Sequence, residues 1–171
     1  MKFLKFISIL LIFLGNIPHK TMVYAEIENP KKYKVFSEDS NKLTISNVDF
    51  YIKQGDKFIK NGDFDKAKNS YLDARQLAKQ LASFYSDLNA SFIGIDARIP
   101  KEMQRKGKQT LQILAESNER LASLYIKTGT PEVAVPLLVE TIRIMSPNSL
   151  EGKEAYKKLI QLGFVETNYK G

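Results

Sequence analysis

The chain has 171 residues, 26 Lys and Arg against 19 Asp and Glu (net charge +7), one histidine and no cysteine. That length allows one domain with a sizeable core. The absence of cysteine excludes disulfides, thiol nucleophiles and a lipoprotein anchor, so packing alone must hold the fold together.

The chain opens MKFLKFISILLIFLGNIPHKTMVYAE, with Lys2 and Lys5 ahead of an apolar stretch from Phe6 to Leu14 that ends at Gly15. Val23-Tyr24-Ala25 offers small residues where a signal peptidase reads, and the apolar run is short for a bilayer core of roughly 30 Å. The layout predicts a signal peptide over 1–25 cleaved after Ala25, with an uncleaved anchor as the alternative. Removal of Lys2, Lys5 and Lys20 with no acid lowers the net charge from +7 to +4. His19 leaves with the leader. The processed chain would then have neither His nor Cys, which excludes Ser-His-Asp triads and zinc sites with Cys or His ligands.

Residues 26–46 are polar, mixed in charge and without a sustained period, and are read as a flexible lead-in. Ser46-Asn47-Val48-Asp49 resembles a capping box and predicts the start of a first helix that runs to about Lys60. Asn61-Gly62-Asp63 is a strong turn. A second helix starts near Phe64 or Asp65. Leu77, Leu81, Phe84, Leu88, Phe92 and Ile95 continue it at helical spacing, beside Ala74, Ala78 and Ala82. No breaker interrupts it before Gly94, so it reaches about 30 residues, roughly 45 Å.

Ile99-Pro100 marks the next boundary. A third helix over about 100–127 carries Met103, Leu111, Leu114, Leu121 and Tyr125 on one face. Gly107 inside it predicts a close approach to the second helix, since glycine there costs about 1 kcal/mol relative to alanine. Lys127-Thr128-Gly129 ends this helix, and Thr130-Pro131-Glu132 opens a fourth with an N-cap, a first-turn proline and an early acid. Ala134, Leu137, Leu138, Thr141, Ile142 and Met145 form its apolar face. Pro147 stops it, and Asn148-Ser149-Leu150-Glu151 caps a last helix that ends at Gly163-Phe164. With no competing strand pattern, the chain reads as an all-α domain of about five helices over 47–164, followed by a tail over 165–171.

Residues 51–74, YIKQGDKFIKNGDFDKAKNSYLDA, resemble the tetratricopeptide repeat, a 34-residue helical hairpin with the pattern W-x2-L-G-x2-Y, A-x3-F and a final proline. Tyr51 stands for the tryptophan, Gly55 for the glycine and Phe58 for the tyrosine. Gly62 falls at the turn, with Ala67, Tyr71 and Ala74 on the second helix. Gln54 replaces the usual leucine and Lys79 the terminal proline, in keeping with a helix that runs on. A weaker second copy comprises Leu121, Ala122, Tyr125, Gly129, Ala134 and Leu138, with Pro147 one residue late and Asn118 in place of the tryptophan. Gly62 and Gly129 are 67 residues apart, so the copies are not adjacent. The resemblance implies helical hairpins joined by an extended antiparallel central helix pair. Over about 48–165 the chain is also similar to small exported tetratricopeptide-like proteins of cyanobacteria and plastids. That similarity implies the periplasm or thylakoid lumen, and a role beside photosynthetic membrane complexes.

Tetratricopeptide modules bind an extended segment or helix of a partner protein on the face of the first helix of each hairpin. Carried over here, that face includes Ile52, Asp56, Ile59, Glu119 and Ile126. The basic residue and asparagine of chaperone-docking relatives are replaced by Ile52 and Asp56, so their carboxylate clamp is missing and an apolar groove is expected. The alternative is that these isoleucines pack against the long helices or the last helix. Lys101, Arg105, Lys106 and Lys108 make a basic patch that suits an anionic membrane or an acidic partner, or is simply a solvated helix face. Nucleic acid is not expected, because the patch has no interleaved aromatics and the chain reads as exported. Asp63/Asp65 and Glu116/Glu119 are carboxylate pairs at a spacing common on solvated helices. Asp96 either caps the third helix or pairs with Arg98. The sequence therefore predicts an exported, non-catalytic scaffold or assembly factor with no cofactor or metal. A peripheral membrane-surface protein and a structural subunit of a larger complex are the alternatives.

Overall fold

The computed structural model describes residues 42–169. The expected leader with its cleavage point after Ala25, His19 and all but the end of the lead-in lie outside the described residues. Within them the chain is all-α: α1 Ile45–Lys60, α2 Phe64–Phe92, α3 Arg98–Lys127, α4 Pro131–Met145 and α5 Leu150–Gln161, with no strand. Each helix packs against the next, and α1 also touches α3. Arg75 reaches Asn118 while Tyr85 faces Lys106, so α2 and α3 run antiparallel.

The helix starts follow local hydrogen-bond chemistry, with two departures from expectation. Thr44 rather than Ser46 caps α1. Its backbone is extended and its hydroxyl oxygen accepts the Asn47 N–H at 3.1 Å, which starts the helix earlier than the capping-box reading. Thr130 precedes α4 as expected, but its hydroxyl donates to the Tyr125 carbonyl at 3.3 Å and caps nothing. Asp63 caps α2 by accepting the Lys66 N–H, and Ser149 caps α5 by accepting the Gly152 N–H at 2.9 Å. Asp96 takes the pairing role: it meets the Arg98 guanidinium at 2.7 Å and accepts the Arg98 N–H at 2.9 Å, while the N-cap of α3 is Ala97, which has no side-chain cap hydrogen bond.

Helices α1, α3 and α5 end in one shared motif. Gly62, Gly129 and Gly163 all have φ between 76° and 81°. The residue after each donates its N–H back to Phe58, Tyr125 or Leu159 at 2.9–3.0 Å. This is the Schellman geometry, which needs a left-handed residue that glycine adopts at no steric cost.

The core has two neighbouring clusters. One gathers Ala67, Tyr71, Leu121, Ala122, Ala134, Leu138, Ala155 and Leu159 from α2 to α5. The other gathers Val48, Ile52, Ala74, Ala78, Leu81 and Leu114 from α1 to α3. Small residues at the crossings let the helices approach. A Cβ on Gly55 would lie 2.4 Å from the Tyr71 ring, which is buried and donates its hydroxyl to Asp56 at 2.7 Å. Gly107 is different, and the expected close approach is not what places it. A Cβ there would rest 3.7 Å from the Tyr85 Cβ, an ordinary contact.

Helix α1 has 16 residues against 29 in α2, so it covers only the first part of its neighbour. No residue of α2 after Leu81 is buried. The far end of the α2–α3 hairpin therefore extends beyond the cover of α1.

Candidate partner-binding groove

A groove of about 590 Å³ opens where α1, α3, α4 and α5 meet. Gln109, Gln112, Ile113, Glu116 and Glu119 recur at three- and four-residue steps and form one face of α3 along it. Ile45, the first residue of α1, Thr141 of α4, and Leu150, Glu151, Glu154 and Lys158 of α5 complete the walls. Ile45, Ile113, Ala115 and Leu150 supply apolar surface. Four glutamates and a single lysine supply the charge.

Two of the acids are held in place. Glu119 pairs with Lys158 and accepts the Ser123 hydroxyl at 3.2 Å. Glu116 pairs with Arg120 at 3.3 Å, and Arg120 also reaches Asp56 at 3.2 Å, behind which lies Tyr71. Burial and the Asp56 carboxylate raise the Tyr71 phenol far above its ordinary range, so it stays a neutral donor. Glu151 and Glu154 are exposed, carry no ion pair among the described residues, and flank the side chain of Leu150, which is also exposed.

The expected binding residues divide unevenly. Glu119 lines the groove. Ile52 does not, being 2% exposed and packed in the core with Ala74, Ala78 and Leu114. Ile59 and Ile126 are half-buried against the other core cluster. Asp56 is engaged by Tyr71 and Arg120. The apolar groove expected from these isoleucines gives way to the alternative that they pack within the fold: Ile52 is enclosed between α2 and α3, and Ile59 and Ile126 rest on the cluster shared by α2 to α5. The α5 wall was not anticipated. Its signal is the 34-residue interval from Gly129 to Gly163, which sets α5 at the same place in its turn motif as α1 and α3.

The repeat-signature positions are structural. Ala67, Ala74, Ala122, Ala134, Leu121, Leu138 and Tyr71 are buried, Gly55 packs under Tyr71, and Tyr51, Phe58 and Tyr125 are half-buried beside them. Pro147 is exposed after the end of α4. The basic patch splits. Lys101, Arg105 and Lys108 are exposed at helical spacing, whereas Lys106 pairs with Glu102 at 2.8 Å and lies 5.9 Å over the Tyr85 ring.

A second polar constellation sits between α2, α3 and α4. Glu140 accepts from Arg75 at 2.9 Å, Lys79 at 2.7 Å and Asn118 at 3.1 Å, and Arg75 also donates to the Asn118 carbonyl oxygen at 2.8 Å. Burial pushes the Glu140 carboxyl up, but the hydrogen bonds from Lys79, Arg75 and Asn118 outweigh it and hold the group below its ordinary range. Its oxygens are committed within the protein, so the cluster ties helices together. Among the described residues no group of three or more His, Cys, Asp or Glu is placed to hold a metal. No helix there is long and apolar enough to cross a membrane.

No known protein family, curated protein or solved structure matches this chain.

Proposed function

We propose that the chain is an exported, non-catalytic tetratricopeptide-like module that binds a protein partner in the groove, as a scaffold or assembly factor for an envelope or thylakoid complex. The observation that carries this reading is the groove itself: apolar patches on several helices, surrounded by four glutamates against one lysine. Glu151 and Glu154, which carry no ion pair among the described residues, favour a cationic partner segment, whose apolar side chains would rest against Ile45, Ile113 and Leu150. The 34-residue interval from Gly129 to Gly163 supports the repeat reading, because it matches the tetratricopeptide length.

The cysteine-free chain makes the test direct. A photo-crosslinker attached through Gln112→Cys, applied to the native envelope fraction, is expected to mark a discrete protein through a Lys- or Arg-containing segment. Glu151→Lys with Glu154→Lys should remove that adduct. An adduct that survives the charge reversal, or one formed through an acidic segment, sinks the proposal.

A further inference from the structure

The most exposed large apolar side chains are not confined to the groove. Ile93 and Ile95 are 64% and 77% exposed and flank Gly94 in the turn between α2 and α3. Phe84, also exposed, lies on α2 in the part that α1 leaves uncovered. Ile93 and Ile95 sit at the turn that ends the hairpin, and a pocket of about 400 Å³ between α2 and α3, with Tyr85, Met103, Gly107 and Lys108 in its lining, lies farther along and includes neither isoleucine.

Beside the tip, cations outnumber the acids Asp96 and Glu102. Arg98, Lys101, Arg105 and Lys108 follow at three- and four-residue steps and form an exposed stripe along the first turns of α3. The stripe lies opposite the buried Pro100, Met103 and Thr110. Asp96 neutralises Arg98, and Glu102 pairs with Lys106 off the stripe. Lys101, Arg105 and Lys108 carry no ion pair among the described residues.

We propose that this hairpin tip docks on an anionic lipid surface, with Ile93 and Ile95 entering the headgroup region and the α3 stripe lying against the phosphates. Protein partners take up exposed apolar anchors in pockets of fixed shape. A protruding pair of isoleucines backed by cations instead suits a fluid, negatively charged interface. Each cation near such a surface strengthens partitioning about fivefold at physiological ionic strength, and salt weakens it.

Because an apolar N-terminal stretch could bind vesicles by itself, the readout must be local to the tip. The full chain carrying an environment-sensitive fluorophore through Ile95→Cys is mixed with vesicles of phosphatidylcholine alone, or of phosphatidylcholine with phosphatidylglycerol. The expected result is a blue shift, and quenching by doxyl-labelled lipid, on the anionic vesicles only. A label at Val139→Cys, on α4, should stay in water. Lys101→Gln, Arg105→Gln and Lys108→Gln together should lower the tip signal on the order of a hundredfold in lipid concentration, with an unchanged helical circular dichroism spectrum. A label at position 95 that remains aqueous on vesicle-bound chain overturns the proposal. So does insertion that ignores lipid charge. Loss of a captured soluble protein in Ile93→Ser/Ile95→Ser, with no tip signal on vesicles, makes the tip a protein-docking surface and equally overturns it.

Discussion

The Asn118 amide nitrogen lies 3.1 Å from Oε2 of Glu140, and its carbonyl oxygen receives the Nε–H of Arg75 at 2.8 Å. Asn118 is fully buried, so this one side chain links a cation on α2 to an anion on α4 from inside α3. Asn118→Ala is expected to destabilise the fold by about 2–3 kcal/mol, because Arg75 and Glu140 each lose a partner where water cannot fully replace it. Urea unfolding monitored by circular dichroism measures it. A loss under about 0.5 kcal/mol, the range of ordinary surface changes, contradicts the bridging role.

The same cluster gives a pH dependence with a definite sign. The Glu140 carboxyl is held below its ordinary value of 4.5, so the unfolded chain takes up a proton there before the folded chain does. Its contribution is complete above about 4.5 and is lost as pH falls through the depressed value. The difference in unfolding free energy between wild type and Glu140→Gln should therefore be constant near neutrality and shrink in acid. A difference that grows on acidification would reverse the assignment.

Gly55→Ala is expected to cost about 1–3 kcal/mol, despite the better helix propensity of alanine, because its Cβ would stand 2.4 Å from a ring carbon of Tyr71. The ring cannot swing aside freely while its hydroxyl is bound to Asp56. Pairing the change with Tyr71→Leu should recover part of the loss. Independent, additive effects of the two substitutions would show that the contact does not limit the helix approach.

Gly107→Ala should act in the opposite direction. The nearest atom to the added Cβ is 3.7 Å away and the position is mid-helix, so the entropic gain of alanine, about 1 kcal/mol, comes without a clash. A raised thermal midpoint is the expected outcome. A lowered one would place an unrecognised constraint at this crossing.

Gly152→Ala should be the most damaging of the glycine substitutions, at about 3 kcal/mol. Its Cβ would fall 2.0 Å from the Ser146 carbonyl oxygen, which is backbone and also receives the Ser149 hydroxyl. The α4–α5 turn would have to open, taking with it the Ser149 cap and the α5 wall of the groove. Hydrogen exchange should show lost protection confined to α5, and uniform loss across all five helices would argue against this local mechanism.

The helices were legible because their ends are written in single residues. Asn61-Gly62-Asp63, Thr128-Gly129 and Leu162-Gly163 each encode a left-handed stop, and a long stretch without a breaker correctly gave one continuous α2. The faces were harder to read. Ile52 has an apolar environment on two sides, toward Ala74 and Ala78 of α2 and toward Leu114 of α3, so helical periodicity marks it as interior to the fold as readily as interior to a groove. Thr44 and Ser46 are both competent caps, and only the extended backbone at Thr44 decides between them. Leu150, Glu151 and Glu154 look like a helix start in sequence. Their place on a groove wall depends on how α5 packs against α4, which local patterning does not encode.

The unequal lengths of α1 and α2 have a mechanical consequence. The 11 residues of α2 after Leu81, up to Phe92, amount to about 16 Å of hairpin without α1 alongside. That stretch would act as a stand-off, setting the distance between a surface docked at the Ile93–Ile95 turn and a partner in the groove. Its length becomes a ruler. Adding one heptad to each arm would lengthen the reach by about 10 Å while nearly preserving which side chains face inward.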